Sequence, residues 1–282
     1  MSKAFANEIE FHGLPAIHLR APDGAEAIVL QHGAHLVSWK PVGGEERLYL
    51  SEAAVFEDGK PVRGGVPICF PQFGKTGPLP QHGFARDRSW RVHAARAGED
   101  FAMAVLRLND DDATRALWPH AFQLEFSVSI TANRLDMELE VENTGDTAFS
   151  FTAALHTYMR VKEVEEVQLQ GLRGQRYRDL LTGEEREDSG TFVAIERETT
   201  RLYFETENPL LLREDRRSLG INAENMSDTV VWNPWEATCA TIPDMPPAGF
   251  RRMLCVEAGA IEKPVTLQPA DCWWGRQSLA AL

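Results

Sequence analysis

Three groups of side chains in this sequence have the types and spacing to do chemistry. The first lies in Arg63–Arg88, RGGVPICFPQFGKTGPLPQHGFARDR, where Arg63, Gln81, His82 and Arg86 sit among five glycines and four prolines. Glycine and proline at that density break a helix and disfavour a regular central strand. The stretch therefore reads as a shaped, ordered loop, pinned by aromatic plugs such as Phe70, Phe73 and Phe84. Ordered loops commonly carry recognition residues, and guanidinium groups suit phosphate or carboxylate. The plainer reading is a Pro/Gly-rich crossover with solvated arginines.

The second group centres on His156. In FSFTAALHTYMR, Phe149, Phe151, Ala153 and Leu155 share one parity, while Ser150, Thr152, Ala154 and His156 share the other. Strand alternation then turns His156 away from the core, with Tyr158 and Arg160 following if the strand persists. A histidine there can give or take a proton near neutrality, or it is a surface residue satisfied by a carbonyl. The third is Glu257, which ends the apolar run RMLCVE and shares parity with Met253 and Cys255. Partial desolvation would raise its pKa and suit it as a general base, whereas an edge-strand acid would pair with Arg251 or Lys263. No spacing rule brings Glu257 to His156.

Other signals are weaker. His32 and His35 would lie on opposite faces of a strand, so they make a poor metal pair. Trp232–Trp235 (WNPW) reads as packing around a turn or as an aromatic flank for a sugar ring. Neither a P-loop, a dinucleotide fingerprint nor a G-x-S-x-G elbow is present.

The elements that must hold these groups read as strands. Residues 122–130 and 134–142 alternate apolar and polar without interruption, across an Ala132-Asn133 turn, which predicts an antiparallel hairpin. Shorter strands are predicted at Ala27–Leu30, Leu36–Trp39, Leu48–Leu50, Thr191–Ile195, Arg201–Glu205, Met253–Glu257 and Pro264–Leu267, among others. Asp110–Leu117 is the best short helix, with acids at its start and Trp118-Pro119 as its stop. Arg173–Ser189 is polar enough for an exposed hairpin or loop. The expectation is a mostly-β fold, one domain over 1–282, with two large packed antiparallel sheets.

The totals narrow the function. A net charge of −13 argues against a nucleic-acid or anionic-membrane binder, both of which need a basic face. Cys69, Cys239, Cys255 and Cys272 show no C-x-x-C spacing, so reduced, buried thiols are expected and no metal site. With no apolar leader and no membrane-length run, a cytoplasmic monomer is the expectation.

RGGVPICFPQFG, LPQHGFAR, ALHTYMRV, VVWNPW and RMLCVEAG, in that order, closely resemble the glucose-6-phosphate 1-epimerases of the aldose 1-epimerase (galactose mutarotase-like) superfamily. The resemblance runs from about Arg63 to Leu279. It implies a β-supersandwich with a cleft on one sheet and interconversion of hexose 6-phosphate anomers without metal or organic cofactor. It also implies His156 and Glu257 as the catalytic pair, and Arg63, Gln81, His82 and Arg86 as the substrate-binding set. Glu257 as carboxylate would take the C1 hydroxyl proton while protonated His156 donates to the ring oxygen. Family members often carry an acid where this chain has Thr200, which puts hydroxyl selectivity in question. Two alternatives stay open: a mutarotase for unphosphorylated aldoses, and a non-catalytic sugar-phosphate-binding protein.

Overall fold

The computed structural model describes residues 3–282. Strands β1 (Phe5–Phe11), β2 (Leu14–Arg20), β3 (Glu26–Leu30) and β4 (Leu36–Lys40) form a four-stranded antiparallel sheet in sequential order. The Gly/Pro-rich loop follows and contributes only β5 (Ile68–Cys69). After it come β6 (Arg91–Ala97), β7 (Ala102–Asn109), helix α1 (Asp112–Leu117), β8 (Phe122–Ile130) and β9 (Arg134–Asn143). The middle of the chain supplies β10 (Phe149–Leu155), β11 (Tyr158–Arg160), β12 (Gln168–Gln170), β13 (Arg176–Asp179) and β14 (Glu185–Glu187). The last third adds β15 (Thr199–Tyr203), β16 (Leu210–Arg213), β17 (Ser218–Glu224) and β18 (Asp228–Asn233). Helix α2 (Trp235–Cys239), β19 (Met253–Leu267) and β20 (Cys272–Ala281) complete it.

Two eight-stranded sheets dominate. One is ordered β12-β16-β17-β20-β9-β8-β7-β6; the other is β14-β13-β15-β18-β19-β10-β5, with β11 beside β19. The large antiparallel sandwich is as expected, and the N-terminal sheet is an addition to the two-sheet reading. In β8 and β9 every second residue is buried, as their alternation requires. Phe122, Phe126, Leu135 and Leu139 from one sheet share a core with Phe149, Phe151, Val256 and Ala258 from the other. Each of the Phe, Leu and Val side chains contributes on the order of 1.5–3 kcal/mol by leaving water.

Some local readings change. Residues 253–257 and 264–267 belong to one long strand, β19, because the β10–β19 register shifts between Phe151 and Ala153. Pro264 is tolerated in that irregular stretch, where a missing N–H costs no regular ladder bond. The Asp228 carboxylate accepts from the backbone N–H of Ile261 and Glu262, both at 2.8 Å. Leu48, Leu50 and Val193 make only isolated bridges where strands were predicted. Residues 176–187 do form an exposed hairpin, β13–β14. Helix α1 is capped by Asp111, whose carboxylate accepts from Thr114 N while the Thr114 hydroxyl accepts from Asp111 N. Cys69, Cys239 and Cys255 are buried, but Cys272 lies exposed, contrary to expectation. Among the described residues no helix is long and apolar enough to cross a membrane.

Candidate active site

Strand register brings the distant acid and base together. β10 pairs Leu155 with Ala258, and β11 pairs Tyr158 with Cys255. The same register sets His156 directly opposite Glu257, with Nε2 and Oε1 3.4 Å apart. His156 departs from strand geometry there, its backbone N–H donating to Pro67 O. The predicted parity survives: Ala153 and Leu155 enter the main core, whereas Ala154 joins a separate cluster with Phe73 and Val230. His156 is not on a solvated face, however; loop 63–88 roofs it. Glu257 lies inside β19 rather than at its end and is 1 % exposed. Its expected surface partners are elsewhere, Arg251 with Glu163 and Lys263 with Glu205.

The loop is built from buried rings and close backbone contacts. Phe70 packs on Phe84, Trp118, Phe122 and Phe151. Gly83 has φ +73, and a Cβ there would overlap the Phe70 carbonyl; Gly64 has φ +106, and a Cβ would overlap Tyr49 O. Only glycine fits both positions. Between them His82 holds φ +67, a left-handed conformation that strains a side-chain-bearing residue. Its Nδ1 accepts from Gly74 N–H and lies 3.2 Å from Cys69 Sγ, while Nε2 faces the Gln81 amide at 3.4 Å.

A cavity of about 260 Å³ results, and all seven residues predicted from sequence line it: Arg63, Gln81, His82, Arg86, His156, Thr200 and Glu257. β15 and β18 complete its floor with Thr200 and with Val230 and Trp232, whose indole meets the His156 ring edge-on at 5.8 Å. Trp232 thus packs on His156 and also lines the cavity. A larger surface cavity of about 590 Å³, bounded by Lys162, Glu163 and Glu214–Arg217, is lined by ion pairs, Arg217 with Glu214 and Arg216 with Asp215. It contains no histidine and no opposed acid–base pair, so it is not a candidate centre.

Two contributors carried little sequence signal. Asp244 accepts from Arg63 Nε at 3.1 Å, and Tyr158 OH accepts from Arg63 Nη1 at 3.1 Å. Tyr158 also stacks on His156, ring centres 4.8 Å apart and planes at 14°. The DMPPAG break at 244–249 looks like a turn, and no sequence pattern ties it to Arg63. Arg86 Nη2 donates to Gln81 O at 2.8 Å, which couples the two ends of the HGFAR turn. His32 and His35 each reach a backbone carbonyl, Lys60 O and Gly64 O, at 2.7 Å.

Electrostatics set the proton inventory. Burial holds the Glu257 carboxyl well above the usual carboxylate range, with Arg86 opposing. Burial, then His82, Arg86 and Arg63, hold His156 well below the ordinary imidazole value. Burial also pushes His82 down to about 3, helped by Arg86 and Arg63. Burial thus disfavours the charged form of each partner, the carboxylate of Glu257 and the imidazolium of His156. Arg63 stays firmly charged: burial acts to lower it, but Tyr158 and Asp244 more than offset that. Cys255 shares the face of Glu257, and ligand atoms of His156, Cys255 and Glu257 all lie within 4.8 Å of one another.

The aldose 1-epimerase family profile matches residues 15–280. The chain belongs to this family. A relative from Cenchrus ciliaris, provisionally named a glucose-6-phosphate 1-epimerase, is 35% identical over 283 residues, covering 96% of this chain and 85% of that one. A Salmonella typhimurium relative with the same provisional name is 34% identical over 297 residues, covering 96% and 98%. A crystal structure of a provisionally named mutarotase, also from Salmonella typhimurium, superposes with TM-score 0.91 at 30% identity, covering 98% of this chain and 93% of that one. The family places the chain among isomerases.

Proposed function

We propose that this chain interconverts the α and β anomers of a hexose 6-phosphate, glucose 6-phosphate by analogy with the names of its relatives. The reading extends to a single-domain, monomeric enzyme of the cytoplasm. The observation that carries it is the opposition of His156 and Glu257 at 3.4 Å in a cavity also lined by Arg63 and Arg86.

Ring opening needs one proton removed from the C1 hydroxyl and one delivered to the ring oxygen, two oxygens borne by one carbon. Two side-chain atoms 3.4 Å apart can serve both. A bound pyranose donates its C1 hydroxyl to Glu257 and accepts from His156 at O5. Those hydrogen bonds favour Glu257 as carboxylate and His156 as imidazolium. Glu257 then takes the hydroxyl proton as His156 protonates O5 and the C1–O5 bond breaks. The aldehyde rotates about C1–C2, and the same two transfers run backwards on its other face, restoring the starting proton count. Trp232 and Tyr158 hold the imidazole plane. Arg63 spends two of its five N–H donors on Asp244 and Tyr158, which leaves the rest for a phosphate. Gln81, His82 and Thr200, which line the same cavity, would take the sugar hydroxyls.

The test compares anomer exchange of glucose 6-phosphate and glucose by NMR. His156→Ala should lower the rate on the order of 10²–10⁴-fold on either sugar. Arg63→Gln and Arg86→Gln should raise KM for the phosphorylated sugar by about 10–100-fold, from loss of a charged hydrogen bond, and spare the free sugar. Equal penalties on both sugars favour a free-aldose enzyme. Sugar-phosphate binding without any exchange favours a non-catalytic binder.

A further inference from the structure

The side chains of His156, Cys255 and Glu257 form the group of metal-ligating residues that converges among the described residues. Cys255 and Glu257 are two apart on one face of β19, and strand register fixes His156 opposite Glu257. Three points within 4.8 Å of one another share a centre at most about 2.8 Å from each. Zinc bonds to S, N and O are about 2.0–2.3 Å, so side-chain shifts of under about 1 Å close the site. All three residues are buried, and Glu257 Oε2 has no hydrogen-bond partner. Buried polar atoms without partners are costly, and a cation can take up such lone pairs.

Charge and softness narrow the ion. Thiolate, carboxylate and neutral imidazole sum to −2, which cancels a divalent cation and leaves the buried site neutral. Neutrality matters because Arg63 and Arg86 line the same cavity and oppose excess positive charge. One sulfur and one nitrogen among three ligands select zinc-like ions over magnesium or calcium. His156 and Glu257 line the cavity, so a fourth position opens toward it.

We propose that His156, Cys255 and Glu257 bind a thiophilic divalent cation of the zinc class, which competes with sugar for the pocket. The metal site stands on geometry; its inhibitory consequence rests on the function proposed above.

The test is a cobalt(II) titration of the full chain without sugar. It should give one equivalent bound, with thiolate-to-cobalt charge-transfer absorption, displaced by one equivalent of zinc. Cys255→Ala should lose the band and weaken zinc by at least about 100-fold, beyond the 10–100-fold typical of losing an outer-sphere partner. Cys69→Ala and Cys272→Ala should keep the band. The isosteric Glu257→Gln, independent of how Cys255→Ala folds, should weaken zinc by at least about 10-fold. No stoichiometric binding, or binding unmoved in either variant, overturns the site. In the wild type, zinc should inhibit glucose 6-phosphate exchange competitively with sugar, reversed by EDTA. Zinc held through Cys255 in a chain without exchange activity would uphold the metal site and remove the proposed function; active enzyme that binds no zinc would do the reverse.

Discussion

β9 and β19 are both long antiparallel strands, yet they treat their carboxylates in opposite ways. In β9, Leu135, Met137, Leu139 and Val141 face the core while Asp136, Glu138, Glu140 and Glu142 face water. Glu138 meets Arg276 of the adjacent β20 with solvent around both side chains. In β19 the first nine residues, Met253–Ile261, are all buried, because one face meets the sandwich core and the other lies in the roofed cleft. Glu257 occupies the register position of a water-facing acid but has no water to face. The difference between a solvated charge and a candidate acid–base group is made by the covering loop, not by the strand.

Substitutions on the two strands should separate rate from stability. The largest effect expected is that of Glu257→Gln, which should cut glucose 6-phosphate exchange on the order of 10²–10⁴-fold, while Glu138→Gln leaves it unchanged. Equal losses by NMR exchange would erase the contrast. Next, Leu139→Ala, beneath β9, should cost about 2–5 kcal/mol in denaturant unfolding and leave exchange per folded molecule intact.

The pH dependence sharpens the contrast further. Glu257 has a folded pKa raised above its ordinary value of 4.5, so the native state holds a proton that the unfolded chain releases. Its contribution weakens stability as pH rises from 4.5 toward the folded value, by up to about 1.4 kcal/mol per pH unit. Glu257→Gln should flatten that slope in melts across pH and grow more stable relative to wild type as pH rises; parallel curves would contradict the burial argument. His35 and His82, each pushed down to about 3, act with the opposite sign. They take up protons only on unfolding, so stability falls as pH drops from 6.5 toward 3. The smallest effect is on the solvated row: Arg276→Ala should cost under about 1 kcal/mol, and less in high salt.

Legibility in the sequence followed the same divide. β8 and β9 were readable almost to the residue because water on one face enforces strict alternation. The side of β10 on which His156 falls was readable for that reason too. The β1–β2 hairpin escaped, although His12 and Gly13 with φ of 50° and 82° make the two-residue turn that joins it. β19 was split at Pro264 because a strand buried on both faces shows no period and the register shift leaves no local mark. That Glu257 faces His156 could not be read, since the register is set by pairing across about a hundred residues. The motif resemblance supplied that pairing; periodicity did not. The depth of Glu257 and His156 beneath the loop could not be read either, because burial is a tertiary property.

Arg63 is tethered to Asp244, 181 residues away, and that acid's own carbonyl is gripped by the Ser51 hydroxyl. On the function proposed above, the grip of the pocket on an anion is inherited from a bend that has no share in the acid–base pair. Selection acting on the 244–249 bend can retune which sugars are held while leaving the bond-breaking apparatus untouched, so catalysis and preference are free to evolve along separate stretches of chain.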